Sequence, residues 1–328
     1  MKKKLLAAGV SGAFLVVIYT RLDLARVVAV FAECRPGVLA AGLAMIAVTT
    51  ALSSWRLAVL APDEVEIGFA EAVRLNLAAS VLNLALPSKM GDLLKAAFIR
   101  NREGSGTVVA IPLVVFEKSL DVLALLAWCC FGLVALPRDQ VLSVWLVVAG
   151  LAALIIGVAV FVSPKFAAVF FGLVRRIVPG SRVRRVVADL SEAWESTRSD
   201  FWADRRRLIV LAAASLLIWF LHLVQIWLFI IALRGSVGLV QSMGLTALSI
   251  FAGLVLPAMA GIGTRDLALI TFYRGLLAPE TAAALGLLCT ARYVVPALAG
   301  LPFIGRYVAE VGRNGKTPPE GPAGSSRR

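Results

Sequence analysis

One histidine, His222, occurs among 328 residues. That scarcity excludes metal sites rich in histidine and proton relays built from several of them. The four cysteines, Cys34, Cys129, Cys130 and Cys289, make no disulfide framework. Cys129 and Cys130 are adjacent in an apolar run and read as small packing residues. Charge is also scarce: 16% of the chain, against 60% hydrophobic. Soluble domains carry about a quarter charged residues. No phosphate-binding loop of the G-x-x-x-x-G-K-[ST] type occurs. Neither a metal nor another cofactor is expected.

What is present is apolar length. The mean hydropathy is +0.88. "PGVLAAGLAMIAVTTALSSW", "VLSVWLVVAGLAALIIGVAVFV" and "LIVLAAASLLIWFLHLVQIWLFIIAL" each reach the roughly 20 apolar residues that cross a bilayer. The sequence therefore predicts an all-α polytopic membrane protein. The segment "MKKKLLAAGVSGAFLVVIYT" reads as a retained first helix, because no clear cleavage site follows it.

The net charge of +13 is unevenly placed. Basic residues gather at Lys2–Lys4, between Lys165 and Arg207, and from Arg306 to Arg328. In a polytopic chain such clusters mark the cytoplasmic side, so nucleic acid is not an expected partner. An anionic membrane surface is. This asymmetry predicts about six full spans: 5–20, 36–61, 111–136, 141–163, 208–233 and 281–305. The stretch between 20 and 36 would lie outside, partly as an interfacial helix. Residues 68–102 then start and end inside, and 237–273 start and end outside. The organisation expected is one transmembrane domain, 1–306, with repeat halves 1–163 and 208–306. A basic cytoplasmic loop, 164–207, would join them, and 307–328 would form a disordered cytoplasmic tail.

The two leftover segments share a pattern. "LPSKMGD" contains Pro87 and Gly91; "LPAMAGIGTRD" contains Pro257, Gly261 and Gly263. Non-helical backbone at membrane depth is tolerated where it is buried or lines a cavity. Both segments are expected to be re-entrant and broken, entering from opposite faces as an inverted repeat. Each break would aim a helix N-terminus inward, with Lys89 or Arg265 beside it and Thr264 as a plausible N-cap. That arrangement suits an anion such as phosphate.

Ionisable residues inside spans are costly and usually functional. Glu117 and Asp121 share a helix face, with Lys118 between them. They are expected to meet cations from elsewhere, such as Lys89, Arg265 or Arg292. Asp92 and Asp266 follow the breaks. Lys89, Arg265 and Arg292 are candidate phosphate contacts. The four carboxylates are as well suited to structural ion pairs as to substrate contact. Arg56, near the end of its helix, is expected to snorkel to the interface. Asn76 and Asn83 could line the cavity or bond between helices. His222 and Gln225 most simply bond between helices.

At these residues the chain resembles the transmembrane region of lysylphosphatidylglycerol synthases, a flippase-like integral membrane family. Its "N-x-x-LP-x-x-x-GE" is matched by Asn83, Leu86, Pro87, Gly91 and Asp92. Its "ER-x-x-D" is matched by Glu117, Lys118 and Asp121. Its "P-x-x-x-G-x-G-x-RE" is matched by Pro257, Gly261, Gly263, Arg265 and Asp266. Aspartate replaces glutamate twice and lysine replaces arginine once. The resemblance spans nearly the whole chain and implies lipid handling. In the two-domain synthases this region is thought to flip aminoacylated lipid, while a separate soluble domain makes it. The aminoacyl transfer is not carried over. The expected function is translocation, without enzymatic chemistry, of an anionic, aminoacylated or polyprenyl-phosphate-linked lipid. The alternatives are a lipid-modifying transferase and an accessory subunit of a lipid synthase. The expected location is a bacterial inner (plasma) membrane, with both termini cytoplasmic.

Overall fold

The computed structural model describes residues 24–61, 67–85, 91–92, 95, 110–135, 144–178, 180–181, 184–185, 187–189, 191–192, 194–195, 202, 204–255 and 263–314. The proposed first span, 5–20, lies outside them. So do Pro87, Lys89, Pro257 and Gly261, and with them the centres of both breaks.

The described residues form helices α1 (Leu24–Ala32), α2 (Pro36–Leu60), α3 (Phe69–Ala85), α4 (Ala110–Ala135) and α5 (Val144–Val162). These are followed by α6 (Pro164–Ile177), α7 (Arg205–Ala232), α8 (Leu239–Val255), α9 (Thr264–Phe272) and α10 (Pro279–Asn314). Apart from an isolated bridge between Arg274 and Leu277, no strand pairing occurs among them. The chain is all-helical and membrane-spanning. Three helices are long and apolar enough to cross a bilayer: Pro36–Leu60, Arg205–Ala232 and Pro279–Ala309. A fourth candidate is α5 with α6, bent by 115° at Ser163.

Local chemistry sets several boundaries. Pro36 opens α2, where a missing N–H costs nothing. Asp204 caps α7, accepting from the Arg207 amide at 3.0 Å. Pro164 opens α6 where α5 stops. Thr264 is not the N-cap of α9. That position belongs to Gly263, whose φ of 91° suits glycine. At the other end α10 continues to Asn314, so residues 307–314 belong to a helix and not to a loose tail.

α2 and α7 run antiparallel. The Arg35 amide donates to the Ala232 carbonyl at 2.8 Å at one end. At the other, Arg207 Nε donates to the Val59 carbonyl at 2.9 Å. Midway, Gln225 donates to the Gly42 carbonyl at 2.8 Å. Around this pair the helices dock crosswise: α3 lies against α10, and α8 against α4. Both docks require glycine. A Cβ on Gly300 would strike the Leu77 carbonyl, and one on Gly132 would strike the Gly244 backbone. Small residues permit such close backbone approach between membrane helices.

Two apolar clusters result. One gathers Leu57, Leu75, Phe116, Leu211 and Tyr307. The other gathers Leu125, Ile226, Phe229, Tyr273 and Cys289. The segment after α5 joins the first cluster: Trp194 is buried, with ring centroids 6.2 Å from Phe116 and 5.5 Å from Phe161. The stretch 164–207 is thus a partly helical element anchored to the bundle, not a plain loop. On α6, Phe166, Val169, Phe170, Leu173 and Ile177 are exposed. They recur at helical spacing as one apolar stripe.

A buried ionic network around a cavity

The polar residues of the bundle fall between the two clusters. On α4 the ionic residues 117–121 lie between Phe116 and Leu125. On α7 the polar stretch lies between Leu211 and Ile226, and on α10 it lies between Cys289 and Tyr307. This places a cavity of about 220 Å³ between the two apolar clusters.

α2 contributes Ile46, Thr49, Thr50, Ser53 and Arg56, a stripe at spacings of three and four. α3 contributes Asn76, Ser80 and Asn83. α4 contributes Glu117, Lys118 and Asp121. Asp92 and Lys95 come from the segment just after the first break. α7 supplies Trp219, His222 and Gln225, and α10 supplies Arg292, Tyr293 and Pro296.

Six of these groups form one network. Arg56 Nη1 lies 2.6 Å from Asp121 and Nη2 lies 3.0 Å from Glu117. Arg56 Nη1 also donates to Ser215 Oγ at 2.7 Å. Lys95 Nζ is 3.2 Å from Asp92 and 3.5 Å from Glu117. Lys118 Nζ is 3.1 Å from Asp92 and 3.3 Å from Asp121. Three cations thus bridge three carboxylates. The network ties α2, α4 and the post-break segment together. Each charge is offset by a neighbour, as burial in a low-dielectric interior demands.

This corrects two expectations. Arg56 does not snorkel: its side chain is 3% exposed and sits at the network's centre. The carboxylates Glu117 and Asp121 meet Arg56, Lys95 and Lys118, not Arg265 or Arg292. Lys95 was not singled out from the sequence. Its signal was its place three residues after Asp92, on the same helix face.

Arg265 and Asp266 lie away from the cavity wall. Arg265 Nε and Nη2 donate to Asp266 Oδ1 at 3.0 and 2.6 Å. Nη2 also reaches the Gly286 carbonyl at 3.2 Å and Thr290 Oγ1 at 3.0 Å. Asp266 Oδ2 accepts from the Gly263 amide at 3.0 Å. The carboxylate therefore occupies the N-terminus of α9, where a bound anion was expected. Together the pair fastens α9 to α10.

Asn83 combines two positions. It lines the cavity, and its side-chain oxygen accepts from the Gly91 amide at 2.8 Å. Asn76 donates to Ser54 Oγ at 3.0 Å, joining α3 to α2. Gln225 bonds the Gly42 carbonyl, as an interhelical role predicts, while also facing the cavity. His222 stacks edge-on to Trp219, with centroids 5.7 Å apart.

Arg292 differs from the other cations. It lines the cavity, its Nε has no hydrogen-bond partner, and no carboxylate pairs with it among the described residues. Its electrostatic neighbours are Tyr293, Cys289 and another cation, Arg265. Four residues on, Pro296 lacks an N–H, so the Arg292 carbonyl loses its helical donor.

The family model described as lysylphosphatidylglycerol synthase TM region matches residues 4–300. No curated protein matches the chain.

Proposed function

The chain belongs to the lysylphosphatidylglycerol synthase transmembrane-region family, and on that premise we propose that it moves a phosphate-bearing lipid between bilayer leaflets. The observation that carries this reading is the cavity between the apolar clusters, walled by an ionic network and by one arginine without a carboxylate among the described residues. A headgroup needs such a polar chamber on its way across, while the acyl chains stay in lipid.

The same reading takes the fold as an inverted repeat with six spans and two re-entrant breaks. Three observations support it. α3 and α8 are each 17 residues long, and Phe69 and Leu239 begin them 170 positions apart. Pro87 and Pro257 keep the same separation. The antiparallel α2 and α7 pack against each other, and the crosswise docks α3–α10 and α8–α4 correspond under that shift. Rocking of one half against the other would give alternating access. By charge, both termini and the segment 164–207 face the cytoplasm of a bacterial cell membrane.

Carboxylates held by cations suit a scaffold better than a general base, so we favour transport over lipid modification. Reconstitution into liposomes containing a headgroup-labelled phospholipid tests this. The protein should speed exposure of inner-leaflet label to an impermeant quencher, with lipid masses unchanged. A new lipid species in the extract would instead establish an enzyme, and no acceleration over empty liposomes would remove the translocase reading.

A further inference from the structure

We propose that the cavity selects a headgroup whose phosphate leaves one net negative charge, and that Arg292 sets this preference against net-cationic aminoacylated lipids. The inference rests on the headgroup reading above and narrows it. The described lining residues carry four full cations, Arg56, Lys95, Lys118 and Arg292. Against them stand three carboxylates, Asp92, Glu117 and Asp121. The first three cations are consumed by the carboxylates at 2.6–3.5 Å. Among the described lining residues Arg292 is left over, so their charges sum to one uncompensated positive.

A guanidinium partly withdrawn from water, with no carboxylate beside it among the described residues, is unfavourable. An entering monoanion relieves that penalty. A zwitterion relieves it in part. A lysylated phosphatidylglycerol, with two amino groups and one phosphate, adds a positive charge instead. The geometry agrees with the electrostatics. The Arg292 Nε is buried and unpartnered, and a planar guanidinium offers paired donors to phosphate oxygens. Trp219 also lines the cavity. Its ring N–H suits a glycerol or sugar hydroxyl of a phosphodiester. The carboxylates that would welcome an aminoacyl ammonium are already occupied by Arg56, Lys95 and Lys118.

The test measures binding to the full-length protein in detergent, by native mass spectrometry. Four probes are compared: phosphatidylglycerol, phosphatidylethanolamine, lysylphosphatidylglycerol and inorganic phosphate. Phosphatidylglycerol should bind at least tenfold more tightly than lysylphosphatidylglycerol, with phosphatidylethanolamine between them. Arg292→Gln should remove that ordering and weaken phosphatidylglycerol about tenfold; Arg292→Lys should retain the ordering. The wild-type ordering stands as a test even if a variant fails to fold. Equal binding of the three lipids, or tighter binding of the aminoacylated one, overturns the charge selection and leaves the headgroup chamber standing. Binding of inorganic phosphate as tightly as phosphatidylglycerol overturns the lipid form of the proposal in favour of a soluble anion. No binding by any lipid would sink the headgroup reading itself.

Discussion

The amide of Gly91 donates to the side-chain oxygen of Asn83 at 2.8 Å, beyond the described end of α3. This bond explains the eight-residue spacing of the N-x-x-LP-x-x-x-G pattern. Asn83 leaves the last turn of α3, and Gly91 is the first residue described beyond the break. No side chain fits at Gly91, since a Cβ there would press on the Ala79 carbonyl and lie 2.7 Å from the Asn83 amide. Asn83→Ala leaves a buried N–H unpaired and should cost about 1–3 kcal/mol. Asn83→Asp keeps the acceptor and should cost less. Gly91→Ala should be the worst of the three. Thermal unfolding in detergent orders them; an Asn83→Ala variant as stable as the parent would show that the bond is not needed.

Arg56 supports a second prediction. Removing it leaves Asp92, Glu117 and Asp121 to share two cations, Lys95 and Lys118, and breaking one side of a buried ionic cluster costs about 3–5 kcal/mol. Arg56→Gln should therefore lower the unfolding temperature sharply. Adding Glu117→Gln removes one of these carboxylates, so the double variant should recover part of the loss. A double variant with simply added losses would mean that the two residues do not share one network.

Two of the expected spans were legible because apolar runs of bilayer length admit few other readings; α2 and α7 lie close to where the runs put them. The ionic network was not legible. Arg56 is four residues from the end of α2, a position where arginine often snorkels. What keeps it inside are Glu117 and Asp121, contributed by a helix more than 60 positions away. Sequence spacing identified those carboxylates as needing cations, but helix packing chose which ones. Asn83 and Gly91 were visible as a motif, while the bond between them depended on the path of the break. The Thr49, Thr50, Ser53 stripe could have been read from its helical spacing, and with Arg56 it marks the cavity face of α2. The role of Asp266 was hidden for a local reason: its carboxylate folds back on Gly263 and closes the helix end that seemed open to an anion.

Trp194 anchors the segment after α6. Its ring sits against Phe116 and Phe161 and is 4% exposed. Trp194→Ala should cost about 3–5 kcal/mol of local packing. The expected readout is faster limited proteolysis between Val178 and Asp204, with the rest of the bundle protected. Unchanged cleavage there would mean that the ring does not hold the segment.

α6 should lie on the membrane surface. Its exposed stripe of Phe166, Val169, Phe170, Leu173 and Ile177 is accompanied by Lys165, Arg175 and Arg176, with no acidic residue. An amphipathic basic helix bent by 115° from apolar α5 fits an anionic interface. A fluorophore at Val169 should show a blue-shifted emission in vesicles containing anionic lipid. Changing Lys165, Arg175 and Arg176 to Gln should reduce the shift and leave headgroup preference unaltered. A water-like emission in the parent protein would place the helix elsewhere.

Arg265 is buried and Arg292 half-buried, and their removal should have opposite consequences. Arg265 is enclosed by Asp266, two carbonyls of α10 and Thr290. Arg265→Gln strands Asp266 and unfastens α9 from α10, a loss of about 3–5 kcal/mol. Arg265→Gln with Asp266→Asn should lose less than the two single changes combined, although the Gly263 cap is weakened as well. Arg292 has no carboxylate among the described residues, so Arg292→Gln discards an uncompensated charge. It should leave the unfolding temperature unchanged or raise it in lipid-free detergent. Added phosphatidylglycerol should stabilise the parent protein, because a ligand that binds only the folded state shifts unfolding upward. It should stabilise the Arg292→Gln variant much less. If Arg292→Gln proves as destabilising as Arg265→Gln without lipid, Arg292 is a strut like its neighbour, and the positive charge facing the cavity has a structural purpose.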